Sequence, residues 1–418
     1  MSHFVIRGGQ RLGGTIPVHG SKNAALPLLA ASLLTHEPIT YHNIPDILDV
    51  KNLITILMSL GVAVQQTSTQ LTLQTGNITP EQLATDSVGL LRGSILLMGA
   101  LLGRTRHITL PHPGGDLIGV RPITAHLDAF SQLGAHITES NGQITIAGGS
   151  LRAGKVVLSE FSVTATENIM LAAATLPGVT TIEIAAAEPH VVALAQLLTK
   201  MGAIVKGAGT HTITVAGKEK LTGTTFTNIP DMLEAGAFVL MAAATQSAIT
   251  LENVPLGDLT LFWKKTKEMG IDYSINEAGQ TVTVQPAPLT AFRLQSLPHP
   301  GIATDLQAPF SVVATQAKGT SLIHDPLYEG RFRHITELQK MGAQVTVCDP
   351  HRVIIQGLTP LHGQRIPSLD IRSGITLLIA GLVAEGETII DQAEIIDRGY
   401  ARIPERLTAL GAQITRQP

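Results

Sequence analysis

Cysteine, aromatic residues and charge are all scarce in this chain. Its 418 residues include one cysteine, Cys348, which excludes an intrachain disulfide and a cysteine-rich zinc site. Charged residues make up 15% and the formal net charge is −3, which argues against a generally basic, nucleic-acid-binding surface. The longest apolar runs, such as 375–383, fall far short of the roughly 20 residues that span a bilayer. We therefore expect a globular cytoplasmic protein without membrane insertion or a nucleic-acid partner.

The low aromatic content constrains the core. Aromatic residues account for 3% of the chain, whereas hydrophobic residues account for 44% and there are 40 glycines. A core with few rings must be filled by Ala, Leu, Ile and Val, and such small side chains let helices and strands pack closely. The composition excludes a disordered chain and favours several similar, tightly packed layers.

An internal repeat organises the sequence. A Leu-Gly or Met-Gly pair, preceded by an amphipathic stretch and followed by a short apolar strand, recurs about every 70 residues. Each glycine suits the position just after a helix, where a left-handed backbone is needed. The glycines are Gly61, Gly134, Gly202, Gly270, Gly342 and Gly411. Buried helices repeat in phase with them, with copies beginning near Lys22, Arg92, Glu167, Glu234, Gln307 and Ser373.

The length of this repeat predicts the fold class. Solenoid repeats usually run about 20–50 residues, so longer units favour compact subdomains over a solenoid. An even number of units allows two halves of three, and the pattern breaks near Ile229 and Pro230. We therefore expect an α/β protein with two domains.

Basic residues recur near the predicted helix starts. Helix N-termini carry partial positive charge and free N–H groups, so basic ends that converge on a cleft would bind a small, multiply anionic substrate. For any single residue, a solvated surface role is the alternative. These residues are Lys22 and Arg92 at two helix starts, Arg372 just before a third, and Arg121, Arg331 and Arg398 in loops.

Four aspartates stand out beside these basic residues. Asp231 and Asp370 precede two buried helices and are predicted N-caps. Asp116 follows a Gly-Gly pair and Asp305 follows a Pro-Gly pair, so both are predicted in loops, where functional residues are common. Nucleotide-binding glycine motifs and metal-ligand spacings are absent from the sequence. We accordingly expect no metal and no cofactor.

Several short motifs are specific in combination and are spread over essentially the whole chain. They are Gly20–Pro27, Arg92–Ser94, Gly114–Pro122, Pro230–Gly236, Thr304–Ala308, Tyr328–Phe332, Asp370–Arg372 and Ile396–Tyr400. Together they resemble the enolpyruvyltransferase family, and within it the UDP-N-acetylglucosamine 1-carboxyvinyltransferases. The resemblance implies a two-domain inside-out α/β barrel built from six βαβαββ repeats. The expected domains are 22–229, which carries the Asp116 loop, and 1–21 with 230–418, with the active site in the cleft between them.

The resemblance also implies a reaction and a set of site residues. The expected activity is transfer of the enolpyruvyl group of phosphoenolpyruvate to the 3′-hydroxyl of UDP-N-acetylglucosamine, with release of phosphate. Asp116 would be the general acid and Asp305 would accept the hydroxyl proton, with Lys22 and Arg398 completing the catalytic set. Lys22, Asn23, Arg121 and Arg398 would bind phosphoenolpyruvate. The nucleotide sugar would contact Arg92, Arg121, Pro122, Ile123, Thr124, Ala125, Ser162, Val163, Thr164, Asp305 and Leu327. Supporting residues would be Asp231, Glu329, Arg331, Asp370 and Arg372.

The chain departs from the family pattern at five positions. Asp116 stands where cysteine is usual, and because fosfomycin alkylates that cysteine, resistance to fosfomycin is expected. Met232 replaces an arginine, while Thr124, Glu160 and Thr164 replace an aspartate, a lysine and a glycine at the nucleotide site. Two alternatives therefore stay open: enolpyruvyl transfer to another acceptor, and a catalytically silent regulator that binds a UDP-sugar. The oligomeric state is left open.

Overall fold

The computed structural model describes residues 2–79, 83, 85–112, 114, 119 and 122–418. The described chain divides into two compact units. We call residues 20–112 and 122–229 the central unit, and residues 2–19 and 230–418 the terminal unit. No described helix combines the length and the apolar character needed to cross a membrane.

The central unit alternates helices with short strands. Its helices are α1 (Lys22–Ala31), α2 (Leu48–Ser59), α3 (Thr85–Leu90), α4 (Leu97–Thr105), α5 (Thr124–Gln132), α6 (Val163–Ala173) and α7 (Pro189–Lys200). Its strands are β3 (Ile39–His42), β4 (Val62–Gln66), β5 (Gln70–Thr75), β6 (His107–Pro111), β7 (His136–Ser140), β8 (Gln143–Ala147), β9 (Lys155–Val157), β10 (Val179–Glu183), β11 (Ile204–Lys206), β12 (Thr212–Ala216) and β13 (Thr224–Thr227). The described strands form sheets in the orders β13-β3-β5-β4, β6-β8-β7 and β11-β12-β10-β9.

The terminal unit is built in the same way. Its helices are α8 (Met232–Ala244), α9 (Thr260–Glu268), α10 (Thr304–Gln316), α11 (Arg333–Lys340), α12 (Ile371–Val383), α13 (Glu394–Asp397) and α14 (Ile403–Ala409). Its strands are β1 (His3–Arg7), β2 (Gly13–Pro17), β14 (Ala248–Glu252), β15 (Asp272–Asn276), β16 (Thr281–Gln285), β17 (Arg293–Gln295), β18 (Gly319–His324), β19 (Gln344–Asp349), β20 (Arg352–Gly357), β21 (Arg365–Pro367), β22 (Glu387–Asp391) and β23 (Gln413–Gln417). The described sheets follow the orders β15-β16-β14-β2, β17-β18-β20-β19 and β21-β22-β1-β23.

Parallel strand pairs flank the buried helices. Strands β9 and β10 flank α6, β17 and β18 flank α10, and β21 and β22 flank α12. In two cases the strand before a helix pairs with a strand that does not follow that helix. Strand β2 precedes α1 but pairs with β14, and β13 precedes α8 but pairs with β3. Each unit therefore completes one of its sheets with a strand from a distant part of the sequence.

Buried helices form the core of the terminal unit. Helices α8, α10 and α12 contact one another, and almost every residue of α8 and α12 is buried. Residues such as Phe238, Phe310 and Leu377 are completely inaccessible. Helices α9, α11 and α14 bury only part of their residues, as an outer amphipathic helix does. The sheets and these outer helices cover the apolar centre.

The six repeated glycines follow helix ends, as predicted. Gly61, Gly134, Gly202, Gly270, Gly342 and Gly411 have φ angles of 93°, 94°, 110°, 80°, 106° and 94°. Each glycine lies two positions after the last residue of an outer helix, and these helices are α2, α5, α7, α9, α11 and α14. Residues that carry a side chain rarely adopt this left-handed backbone conformation. Glycine can adopt it, so it ends each outer helix and lets the chain turn toward the next strand.

Two expectations about helix starts are wrong. Asp305 was expected in a loop, but it lies in the first turn of α10, which begins three residues earlier than the expected Gln307. The start was placed too late because no capping side chain marks it: Ala303 precedes the helix and makes no side-chain hydrogen bond. Arg372 was expected before a helix but is its second residue.

Candidate active site

Asp305 in the terminal unit is held by two arginines of the same unit. Arg331 Nη2 donates a short hydrogen bond to Oδ1, and Arg372 Nε donates to Oδ2 over 3.0 Å. The Asp305 side chain is 23% exposed, whereas each arginine side chain is 7% exposed. Asp305 is therefore the accessible member of a largely buried, charge-assisted cluster.

Arg372 is fixed from several directions. Its Nη1 donates to the Tyr400 hydroxyl over 3.1 Å, and its guanidinium lies 5.7 Å from the Tyr400 ring centroid. Burial disfavours the charge, but the neighbouring Asp305 and Tyr400 outweigh it, so the pKa of Arg372 is raised. Burial raises the pKa of Tyr400 to about 12, although the Arg372 charge opposes this. The result is a permanent cation with a fixed direction toward Asp305.

Arg331 is held by the helix that carries Asp305. Its Nε donates to Thr304 Oγ1 over 3.0 Å, and its guanidinium lies 5.3 Å from the Tyr328 ring centroid. Thr304 Oγ1 in turn donates to Asp325, whose other carboxylate oxygen accepts from the Leu327 backbone N–H over 3.0 Å. The Leu327 segment is thereby tied to the first turn of α10.

The predicted aspartate caps are confirmed. Asp231 accepts hydrogen bonds from the N–H groups of Leu233 and Glu234 at the start of α8. Asp370 accepts from the N–H groups of Arg372 and Ser373 at the start of α12. These negative charges satisfy the free donors of two buried helices and face their positive ends.

In the central unit, Lys22 is the first residue of buried helix α1, which Ser21 caps. Its Nζ lies 2.6 Å from Asp49 Oδ2, and both side chains are nearly buried. Asn23, half-buried, follows it in the helix. Asp49 lies in the first turn of α2 and was not predicted, because no motif marks it. The lysine is therefore a positioned cation at the positive end of a helix.

The structure brings together two segments of the predicted nucleotide site. Ser162 caps α6, and the half-buried Thr164 in the first turn of that helix lies 3.2 Å from His126 Nε2. His126 belongs to α5, which begins with the exposed Thr124 and the buried Ala125. Residues 122–126 and 162–164 are thus joined, although they are about 40 residues apart in the sequence. The remaining predicted residues of these segments are the exposed Pro122, the buried Ile123 and the half-buried Val163.

His126 is a neutral ring in this arrangement. Burial, reinforced by the nearby Arg92 charge, lowers the pKa of His126 to about 3. Arg92 is half-buried and begins the short 3₁₀ helix Arg92–Leu96 that leads into α4. The histidine was overlooked because the sequence offers no ligand-like spacing for any of its 15 histidines.

A buried glutamate lies one turn farther along α6. Glu167 is only 2% exposed, and its Oε1 has no hydrogen-bond partner among the described residues. Burial and the charge of Glu188, which precedes α7, raise the pKa of Glu167 well above its ordinary value. Burial therefore favours the protonated form of this side chain, and its unusual environment was not predicted.

The other predicted residues are placed individually. Arg398 follows α13 and is half-buried, while Leu327 is 39% exposed and Glu329 is exposed. Asp116 and Arg121 lie outside the described residues. Within the described residues, no group of three or more His, Cys, Asp or Glu side chains is placed to hold a metal ion.

Comparison with known proteins decides the family. The family model described as EPSP synthase (3-phosphoshikimate 1-carboxyvinyltransferase) matches residues 6–407. A protein from Magnetococcus marinus named UDP-N-acetylglucosamine 1-carboxyvinyltransferase is 40% identical over 417 residues, which cover 100% of this chain and 99% of the relative. The chain belongs to this carboxyvinyltransferase family.

Further relatives carry the same name. UDP-N-acetylglucosamine 1-carboxyvinyltransferase 2 of Listeria monocytogenes is 40% identical, covering 99% of this chain and 97% of its own. The carboxyvinyltransferase of Bacteroides thetaiotaomicron is 40% identical over 437 residues and matches both chains in full. The family relationship therefore extends over the whole length of the chain.

Solved structures show the family fold. The enolpyruvyl transferase NikO from Streptomyces tendae superimposes with a TM-score of 0.90 at 23% identity, covering 100% of this chain and 99% of its own. EPSP synthase from Acinetobacter baumannii gives a TM-score of 0.76 at 20% identity, covering both chains completely. The chain therefore has the α/β enolpyruvyl transferase fold, with mixed sheets and helices.

Proposed function

We propose that this protein transfers the enolpyruvyl group of phosphoenolpyruvate to the 3′-hydroxyl of UDP-N-acetylglucosamine and releases phosphate. The observation that carries this proposal is the 40% identity, across the whole chain, with relatives named for that acceptor. The reaction is the first committed step of peptidoglycan synthesis, and we assign the protein to the cytoplasm, where both substrates are made.

Cationic groups bind phosphoenolpyruvate in this proposal. Lys22 supplies a compact charge at the positive end of α1, and its contact with Asp49 fixes the direction of its side chain. We assign Arg121 and Arg398 to the phosphate and carboxylate of the same substrate, since a planar guanidinium pairs with both groups. Asn23 orients the two substrates beside Lys22.

Asp305 serves as the base for the sugar 3′-hydroxyl. Arg331 and Arg372 direct its carboxylate, and the side chain is partly exposed to a ligand, so it is placed to accept a proton. Because both arginines are themselves held by Thr304 and Tyr400, the base is positioned before substrate arrives. This preorganisation lowers the cost of reaching the transition state.

Asp116 serves as the acid in an addition followed by an elimination. In the first step Asp116 protonates the methylene carbon, the sugar oxygen bonds to the enol carbon, and Asp305 takes the hydroxyl proton. In the second step the methyl group returns a proton to the Asp116 carboxylate, the bond to the phosphate oxygen breaks, and the departing phosphate takes the hydroxyl proton from Asp305. The double bond is restored, and the products are the enol ether and phosphate. No cofactor enters this scheme.

The finer architecture belongs to the same proposal. We interpret the two units as the halves of an inside-out α/β barrel with six βαβαββ repeats. The buried helices α8, α10 and α12 with sheets around them support this for the terminal unit. The expected cleft between the domains stays a prediction.

An acceptor comparison tests the proposed function. Phosphate release from phosphoenolpyruvate is measured with UDP-N-acetylglucosamine, with shikimate 3-phosphate and without an acceptor. We expect release only with UDP-N-acetylglucosamine, together with an enolpyruvyl nucleotide sugar in the mass spectrum. Release only with shikimate 3-phosphate would contradict the acceptor, and no release with either would contradict the activity.

Transfer to a different acceptor is the second candidate function. Thr124, Glu160 and Thr164 replace three residues usual at the nucleotide site, and the matching family model is named for 3-phosphoshikimate. The acceptor comparison separates this candidate from the first, because only the acceptor changes between its arms.

A further inference from the structure

Asn168 on α6 has an orientation that backbone groups fix. Its Oδ1 accepts from the Gly99 N–H over 2.7 Å, and its Nδ2 donates to the Ile95 carbonyl over 3.0 Å. A backbone N–H only donates and a backbone carbonyl only accepts, so the side-chain oxygen and nitrogen cannot be exchanged. The second hydrogen on Nδ2 therefore points toward its other neighbour, His126 Nδ1, at 2.9 Å.

This contact sets the tautomer of His126. Because Asn168 Nδ2 is a donor, His126 Nδ1 must be the acceptor and carries no hydrogen. A neutral imidazole then carries its hydrogen on Nε2, and that hydrogen is donated to Thr164 Oγ1 over 3.2 Å. The ring is buried, with 2% of the residue exposed, and its two nitrogens meet Asn168 and Thr164.

The tautomer in turn sets the role of Thr164. Its hydroxyl oxygen accepts from His126, so the hydroxyl hydrogen is available to donate elsewhere. Among the described residues, no acceptor lies within hydrogen-bond distance of it besides His126, which cannot accept at Nε2. Thr164 is half-buried in the first turn of α6, so this hydrogen is offered where a ligand can reach it.

We propose that Asn168 and His126 hold the Thr164 hydroxyl as a hydrogen-bond donor to a diphosphate oxygen of the nucleotide sugar. The first turn of a helix favours an anionic acceptor, because the partial positive charge and free N–H groups lie there. Thr164 contacts the substrate, whereas His126 and Asn168 are positioning residues. The inference rests on the proposed function for the identity of the ligand.

The same network joins the segments that would surround the nucleotide sugar. Asn168 contacts the Arg92–Leu96 helix through Ile95 and the start of α4 through Gly99. His126 connects α5 to α6. A change at either positioning residue should therefore weaken nucleotide-sugar binding without touching the phosphoenolpyruvate groups.

Substitution of Thr164 tests the donor directly. Thr164→Val keeps the shape of the side chain and removes the hydroxyl, and it should raise the KM for UDP-N-acetylglucosamine about 10- to 100-fold, as expected for a lost hydrogen bond to a charged group. The kcat and the KM for phosphoenolpyruvate should change less than about twofold on this account. Thr164→Ser should restore the wild-type KM. Thr199→Val is the matched control, because Thr199 only donates to a carbonyl within α7.

Nitrogen NMR of histidine tests the positioning residues on the resting protein. We expect His126 as the neutral tautomer with hydrogen on Nε2. Asn168→Asp, which has no donor at this position, should move a hydrogen to Nδ1 and raise the nucleotide-sugar KM as Thr164→Val does. A wild-type His126 with hydrogen on Nδ1, or an active enzyme whose KM is unchanged in Thr164→Val, would overturn the inference. A wild type that uses only shikimate 3-phosphate would instead overturn the proposed function and the diphosphate assignment, and the NMR result would still decide the tautomer.

Discussion

The two units carry the same kind of buried helix but cap it with different side chains. In the terminal unit, Asp231 and Asp370 place negative charges at the starts of α8 and α12. In the central unit, the neutral Ser21 and Ser162 cap α1 and α6. An aspartate cap neutralises the positive end of a helix, whereas a serine cap leaves it available to an anionic ligand.

The charged side chains follow the same division. The terminal unit surrounds one carboxylate, Asp305, with the cations Arg331 and Arg372. The central unit places Lys22 at the serine-capped start of α1 beside Asp49, and burial lowers the pKa of His126 and raises that of Glu167. The comparison is consistent with our proposal that Asp305 of the terminal unit is the base and that Lys22 of the central unit binds phosphoenolpyruvate together with Arg121 and Arg398.

The largest effect is expected at Asp116, which we propose as the general acid. The native carboxylate should resist fosfomycin, because a carboxylate is a much weaker nucleophile toward the epoxide than a thiolate. Asp116→Cys should be active and fully inactivated over time. Its activity should also extend to higher pH than that of the native protein, because a free thiol has a pKa of about 8.5 and a free aspartate about 3.9.

Residual activity after fosfomycin treatment and the pH profile of kcat measure this prediction. The matched control is Asp116→Cys combined with Cys348→Ser, since Cys348 is an exposed free thiol. Time-dependent inactivation of the native protein, with an adduct on Asp116, would contradict the assigned role.

The next largest effect should come from replacing Asp305, the proposed base in the terminal unit. Asp305→Asn keeps the size of the side chain but cannot accept the hydroxyl proton, so turnover should fall more than about 100-fold. The KM values should change much less. Steady-state kinetics measure this, with Asp391→Asn as control because that aspartate pairs with Arg365 at the surface. Near-normal turnover of Asp305→Asn would remove it from the mechanism.

Replacing a serine cap of the central unit by an aspartate cap tests the comparison between the two units. Ser162→Asp should still cap α6, so the free energy of unfolding should change by less than about 1 kcal/mol. The added charge should repel the diphosphate and raise the KM for the nucleotide sugar about tenfold or more. Ser162→Asn is the neutral control, and equal KM values for the two variants would contradict an anion at this helix end.

The smallest effect on turnover is expected from Glu167→Gln. Glu167 has a raised pKa in the folded protein, so above the unfolded pKa of about 4.5 the folded state binds a proton that the unfolded state has released. The free energy of unfolding of the wild type should then fall by up to about 1.4 kcal/mol per pH unit as the pH rises from the unfolded pKa toward the raised pKa of the folded state.

Glutamine does not titrate, so the stability of Glu167→Gln should fall less over this pH range. Chemical denaturation at several pH values measures the difference. The control is Glu183→Gln, which removes only an exposed pair with Lys155. Parallel pH dependence of wild type and Glu167→Gln would show that Glu167 is ionised in the folded protein.

Local signals made part of this account predictable from the sequence. Glycines such as Gly61 and the caps Asp231 and Asp370 were identified because each depends on its own backbone position and the next few residues. The α/β fold class was predictable because helices and strands alternate at a fixed period.

Contacts between distant residues were not predictable. The pairing of Lys22 with Asp49 and of Thr164 with His126 depends on how separate helices pack, and no spacing in the sequence records it. The helical position of Asp305 was misjudged because Ala303, which precedes α10, offers no capping side chain. Residue types indicated the chemistry, whereas packing decides which of them meet.

The product formed in heavy water tests the central claim most directly. Phosphoenolpyruvate and UDP-N-acetylglucosamine are incubated with the native protein in D2O, and the product is examined by mass spectrometry and NMR. Addition followed by elimination passes through a methyl group that has gained one solvent hydrogen, so the vinyl group of the enolpyruvyl nucleotide sugar should carry deuterium. A nucleotide-sugar product without deuterium would contradict protonation at the methylene carbon, and the absence of any such product would contradict the transfer itself.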